Sequence, residues 1–203
     1  MPGDNVPELL SDEEELDTTE MQNVALRTKQ GSFLPIMAVL ETQKAKHVDG
    51  NLIIDHEQGL RLLHTAAFYG KIKAVRALVE KHGAKVAIPD YRGQTPLHIA
   101  ALAGNIEVVV YLADKMDSKS IDLRDNGLMT PLMNCIISNS EHAFIYLYCK
   151  GKCSLNNIDM NGNTLLHLAA EHGATNIARI LGHLYKSEVK EEINSSIEKI
   201  KEI

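Results

Sequence analysis

DYRGQTPLHIAA, residues Asp90 to Ala101, joins a tight turn to the opening of a helix. Thr95 can accept the orphan N–H groups of a helix start, and Pro96, at the first helical position, loses no bond by lacking an N–H. Leu97 then faces a core, and the small pair Ala100 and Ala101 leaves room for a partner helix to lie close. Gly104 ends the helix in the left-handed conformation that a Cβ opposes. After it, Ile106, Val108, Val109, Tyr111 and Leu112 follow the spacing of a second helix buried on one side.

The same string returns as HEQGLRLLHTAA (His56 to Ala67), DNGLMTPLMNCI (Asp125 to Ile136) and DMNGNTLLHLAA (Asp159 to Ala170). His64, His98, Met133 and His167 occupy equivalent places, so the period is 34, 35 and 34 residues. A unit of that length cannot bury its own apolar face, and copies must stack into a shared core. The expected fold is an all-α repeat solenoid of four helix-turn-helix units, near residues 55–89, 90–124, 125–158 and 159–185, with short β-turn fingers on one edge. An elongated stack offers a surface, and no closed pocket is expected.

The copies are not identical. Thr130 with Pro131 and Thr164 repeat the helix start, whereas Arg61 and Leu62 replace Thr-Pro in the first copy and remove a cap worth about 1 kcal/mol. Gly70 and Gly173 repeat the stop, and Asn139 stands in for glycine in the third copy as the next most tolerant residue. Met133 takes the histidine place there, and Cys135 with Ile136 replaces the small pair. Larger side chains at those places are expected to push the helices apart and make the third unit the least regular.

Both flanks differ from the body. Residues 4–20 hold eight acids and no base, so the chain's −6 becomes +2 for the remainder. Residues 1–19 read as a solvated acidic arm, because like charges with few aromatics cannot collapse. Ser11, followed by Asp12, Glu13 and Glu14, is a candidate for phosphorylation by an acid-directed kinase. Residues 20–54 read as a degenerate N-terminal repeat: Thr19 and Gln22 can cap a helix through Lys29, Gly31 stops it, and Phe33, Ile36, Val39 and Leu40 mark a second. Residues 186–203 continue in helical period through Val189, Ile193, Ile197 and Ile200, either as a cap docked on the fourth unit or as a partner-binding or coiled-coil start.

With 44% apolar residues among 203, the chain can bury about 70% of its unfolded surface if compact, and somewhat less in an elongated stack. No run approaches the roughly 18 apolar residues that cross a bilayer, so no membrane insertion by this sequence is expected. The acidic start lacks the charge and apolar core of a secretory signal, and three cysteines suit a reducing cytoplasm or nucleus better than a disulfide framework. Nucleic-acid binding needs several cations on one face, and no such block is present. Cys149 and Cys153 have a metal-like spacing that His142 or Cys135 could complete, but Cys135 belongs to the packed helix interface, and no metal or other cofactor is expected. No nucleophile elbow, phosphate-cradling glycine loop or paired carboxylates can be identified, so the chain is expected not to be an enzyme.

Gly93, Thr95, Pro96, Leu97, His98, Ala100, Ala101 and Gly104 make the second copy similar to the ankyrin-repeat consensus, and the resemblance covers roughly residues 55 to 182. It implies that His64, His98 and His167 are structural, linking the turn threonine to neighbouring backbone. It also implies protein binding along a concave groove by fingertips and by the exposed positions of the inner helices. Carried over residue by residue, the two positions after the Ala-Ala pair are Phe68 and Tyr69, Leu102 and Ala103, Ile137 and Ser138, Glu171 and His172. The fingertips are Tyr91, Arg92 and Gln94, then Asn126 and Met129, then Met160, Asn161 and Asn163. The candidate patch is Phe68, Tyr69, Tyr91, Arg92, Leu102, Met129 and Ile137, unless packing swallows Leu102 and Ile137.

The implied function is a non-catalytic adaptor or inhibitor-like scaffold, expected to be monomeric, with a protein partner. G-x-x-L-L-H, G-x-T-P-L-H and M-T-P-L-M also resemble the N-terminal ankyrin domain of DHHC-type protein palmitoyltransferases, where the stack recruits substrates to a membrane enzyme. The Asp-His-His-Cys motif, the cysteine-rich zinc module and the membrane helices of that family are absent from these residues. On that alternative the chain is the recruiting part of a longer protein, which membrane spans and a Cys-rich module encoded beyond Ile203 would reveal.

Overall fold

Among the described residues four helical hairpins stack in chain order along one apolar seam. The computed structural model describes residues 49–151 and 153–187. The acidic arm with Ser11, most of the expected N-terminal repeat and the stripe from Val189 to Ile200 lie outside the described residues.

The first finger is a small hairpin of β1 (Ile53–Asp55) and β2 (Leu60–Arg61), paired antiparallel. Helix α1 (Leu62–Phe68) and α2 (Ile72–Glu80) complete the first unit. The second holds α3 (Pro96–Leu102), α4 (Ile106–Asp114) and a short α5 (Ser118–Ile121). The third holds α6 (Pro131–Ile137) and α7 (Glu141–Gly151); the fourth holds α8 (Leu165–Glu171) and a helical stretch over residues 175–187. Each inner helix, α1, α3, α6 and α8, is seven residues long, because a left-handed residue stops it. Gly70 does so at φ 65° and Asn139 at φ 51°.

Inner helices pack on inner helices, α1 on α3, α3 on α6 and α6 on α8, and α1, α3 and α6 each also pack on the outer helix of their own unit. Their shared faces make one core running from Leu52 to Leu181, with Leu97, Leu112, Leu132 and Phe144 fully buried. On the outer side, the Tyr111 hydroxyl donates to Glu80 Oε1 at 3.0 Å and Tyr146 to Asp114 Oδ1 at 2.7 Å, one staple between α2 and α4 and one between α4 and α7.

The fingers are closed by aspartates. Asp90 Oδ1 accepts the N–H groups of Arg92 and Gln94, both at 2.8 Å, and Asp125 Oδ1 those of Gly127 and Met129 at 2.8 and 2.9 Å. Asp159 does the same for Asn161 and Asn163. In the first finger the clamp is Asp55, which takes Glu57 and Gln58, so the turn opens one residue before the His56 that the string alignment suggests. Successive fingers are then laced by Tyr91 N–H to Gln58 O, Asn126 N–H to Arg92 O and Met160 N–H to Gly127 O.

Three details depart from expectation. Helix α5 occupies what reads as a plain loop: Asp117 caps it by accepting Ser120 N–H at 2.7 Å, and Ile121 is buried against Gly151. It falls within the longer, 35-residue period. The third unit is not the irregular one, since α6 has the same seven residues as its neighbours and buries Met133, Cys135 and Ile136 completely. The start of α1 is not bare either. Arg61 has no acceptor with which to cap, but its N–H donates to His64 Nδ1 at 3.3 Å and its guanidinium donates to Pro89 O at 2.8 Å.

The third unit does hold one strained residue. Where the second and fourth fingers place Gly93 and Gly162, with φ 78° and 80°, the third places Leu128 at φ 61°. The left-handed conformation costs an L-residue about 1–2 kcal/mol, and glycine gives back about 0.5–1 kcal/mol through its freer unfolded chain. Leu128 is exposed, so Leu128→Gly is expected to raise the unfolding free energy by about 0.5–1 kcal/mol in urea titrations.

Candidate functional site

Two histidines link successive units. Thr95 N–H donates to His98 Nδ1 at 3.2 Å, and His98 Nε2 lies 3.2 Å from Met129 O, a carbonyl that can only accept. One tautomer satisfies both, the neutral ring with its proton on Nε2. His64 repeats the arrangement between Arg61 N–H and Gln94 O. Both rings are buried, and burial pushes their pKa below 6.5, against the opposing pull of the accepting carbonyls.

The other two copies differ. Met133 has no donor, so among the described residues the finger carbonyl of Asn163 accepts only Asp159 N–H. Across the α3–α6 interface, Asn134 Nδ2 donates to His98 O at 3.1 Å and Ser138 Oγ to Ala101 O at 2.7 Å. His167 keeps its bond to the turn, with Nδ1 2.8 Å from Thr164 Oγ1, but the ring is exposed instead of buried as the motif implies. No following finger covers it among the described residues.

Phe68, Tyr69 and Leu102 stand at the ends of α1 and α3 as the carried-over positions require. Phe68 is 54% exposed and Leu102 is 40% exposed. The Phe68 and Tyr69 rings meet edge to face, with centroids 5.2 Å apart. Asn105 Nδ2 donates to both Ala67 O and Phe68 O, at 2.8 and 2.7 Å, and so holds the end of α1 that presents the pair. Ile137 is only half-buried at its place on α6, so the row fades in the third unit.

Tyr91 is 60% exposed, yet one side of its ring is backed by the first finger: a Cβ at Gly59 would lie 2.6 Å from Tyr91 Cδ1. Arg92 beside it is exposed. Met129 is half-buried, packed against the core while its carbonyl serves His98. It borders Gly127 together with the fingertip Met160, which is 70% exposed. The signal for Met160 was available, since an unbranched apolar side chain at a fingertip has nothing above it to pack against.

Cys149 is exposed while Cys153 is buried with its thiol against Leu147 O, so the C-x-x-x-C pair does not converge. Burial and Asp122 push the Cys153 thiol up to about 12. Among the described residues no group of three or more His, Cys, Asp or Glu is placed to hold a metal ion, and no helix is long and apolar enough to cross a membrane.

Comparison with known proteins agrees with the repeat geometry. The family model described as ankyrin repeats (3 copies) matches residues 36–125 and 115–193. Protein phosphatase 1 regulatory subunit 27 of Homo sapiens is 34% identical over 106 residues, 52% of this chain and 65% of its own length. B-cell lymphoma 3 protein homolog of Mus musculus is 34% identical over 85 residues, 41% of this chain and 19% of its own length. The 26S proteasome non-ATPase regulatory subunit 10 of Dictyostelium discoideum is 37% identical over 73 residues, 36% of this chain and 31% of its own length. The chain thus spans less than two thirds of each of these relatives. Family model, stacked hairpins and histidine-linked fingers together make this chain a member of the ankyrin-repeat family, a family of protein-interaction modules.

Proposed function

We propose that the chain is a non-catalytic adaptor or inhibitor-like scaffold that holds a protein partner against its fingers and the exposed ends of its inner helices. The observation that carries this reading is the row of exposed large apolar side chains, Phe68, Leu102, Tyr91 and Met160, on a backbone braced by Asn105 and by the finger lacing. Large apolar groups gathered on one side of a rigid stack are costly in water and gain free energy when a partner covers them. Tyr91 and Arg92 add residue types that concentrate binding energy at interfaces. Met129 and Ile137, half-buried, contribute edges of the patch and little of its area.

Relatives support the class. The human and Dictyostelium proteins are named as regulatory subunits, of a phosphatase and of a proteasome, and each shares repeats with this chain. A regulatory role through bound protein is the reading extended here, with no partner carried over.

The test is capture from native extract by the immobilised chain, with Phe68→Glu combined with Leu102→Glu as control. Both side chains are exposed, so helical content and thermal unfolding are expected to stay unchanged. Capture of the specific partner is expected to fall by about 100-fold, the equivalent of losing one strong hot spot. Undiminished capture by the double variant would end the claim for this face.

A further inference from the structure

The fourth unit ends on a face that every earlier unit covers. Leu63, Leu97 and Leu132 hold one position on successive inner helices and are buried, whereas Leu166, their equivalent on α8, is 42% exposed. Ala67, Ala101 and Ile136 are buried, and their equivalent Ala170 is exposed. His64 and His98 send Nε2 to the next finger at 3.1 and 3.2 Å, while His167, held the same way by Thr164, has no Nε2 partner among the described residues. One apolar residue, one small residue and one oriented N–H donor therefore repeat the register of an inter-unit contact.

We propose that residues 188–203 of this chain cover that face. The helical stretch 175–187 is longer than α2 or α4, and the Tyr185 hydroxyl donates to Leu155 O at 2.8 Å. Leu155 leads into the fourth finger, so the hydroxyl of Tyr185 ties the end of this stretch to the segment that enters that finger. The sixteen residues that follow carry one apolar stripe, Val189, Ile193, Ile197 and Ile200, set among acids and lysines. An isolated helix of that length is marginal in water, and its stripe is stabilised only by burial. A tethered segment also acts at an effective concentration in the millimolar range, which a second copy or a separate partner has to exceed. The stripe packs on Leu166 and Ala170, and a backbone carbonyl of the segment accepts the His167 proton. This face is the end of the stack, so it is independent of the patch around Phe68 and Leu102.

Methyl-labelled NMR of the chain tests the assignment. Two variants remove the occupant, one ending at Ser187 and one carrying Ile193→Asp with Ile197→Asp; a third, Leu166→Asp, alters the exposed receiving residue and leaves the core intact. The first two are expected to shift the Leu166 and Ala170 methyl resonances while those of Leu63 and Leu97 stay in place. Leu166→Asp is expected to speed amide exchange over residues 189–200 by at least about tenfold, as for a released local unit. These effects are expected to be the same at all protein concentrations. Unmoved Leu166 methyls in the first two variants together with unchanged exchange in the third would overturn the proposal, and shifts that grow with concentration would overturn it by assigning the face to a second copy.

Discussion

Alanine at position 98 is expected to lower the unfolding free energy by about 3 kcal/mol, while alanine at the equivalent position 167 costs less than about 1 kcal/mol. His98 is fully buried, and removing its ring leaves the Thr95 N–H and one lone pair of Met129 O without their partner. Each orphaned buried group costs about 1–3 kcal/mol, and the emptied volume adds to it. His167 makes the same bond to Thr164, but its Nε2 meets no finger carbonyl among the described residues, so no carbonyl of a following finger is orphaned when the ring is removed. Urea unfolding of the two single variants checks the contrast. Equal losses would show that the inter-unit bond contributes nothing beyond the cap.

The same rings give the stability a pH dependence of definite sign. His64 and His98 have folded pKa values below 6.5, so below that pH the unfolded chain binds more protons than the folded one. Their contribution is complete above 6.5 and is lost progressively as pH falls toward the lowered folded values. Between pH 7.5 and 5.5 the unfolding free energy is expected to drop, with a shallower slope in His98→Ala.

Ile136→Ala restores one member of the consensus small pair and is nevertheless expected to destabilise by about 3 kcal/mol. If Cys135 and Ile136 wedged the third unit apart, alanine would relieve strain and stabilise it. The structure shows Ile136 fully buried in a seven-residue α6, beside Met133 and Cys135 that are equally enclosed, so alanine leaves a cavity instead. Thermal and urea unfolding decide between the two by the sign of the change.

These contrasts locate what could be read in advance. The period, the Thr-Pro helix starts and the left-handed stops are local features, dictated by residues a few positions apart. They place α1, α3, α6 and α8 and the turns at Gly70 and Asn139 without knowledge of neighbours. The aspartate clamp was equally legible in principle, since Asp90, Asp125 and Asp159 stand at matching places, yet its role became visible only through the N–H groups that each side chain collects. Helix α5 was hidden because four residues carry too little periodicity to register.

The candidate face divides in the same way. Inner-helix ends and fingertips could be named residue by residue, but exposure depends on which unit lies alongside. Phe68, Tyr91 and Leu102 stay in solvent, Ile137 and Met129 are half-covered, and Met160 is the most exposed large apolar side chain among the described residues. His167 carries the same motif as His98 and loses its burial because no described unit follows it.

By itself the sequence determined a stack of hairpins with a 34- to 35-residue period, because helix starts, stops and apolar spacing are written within each copy. Only the tertiary structure decided which side chains are enclosed, since burial belongs to pairs of adjoining units. Equivalent residues in the second and fourth copies therefore share a conformation and differ in environment, and it is the environment that sets stability and leaves surfaces open for contact.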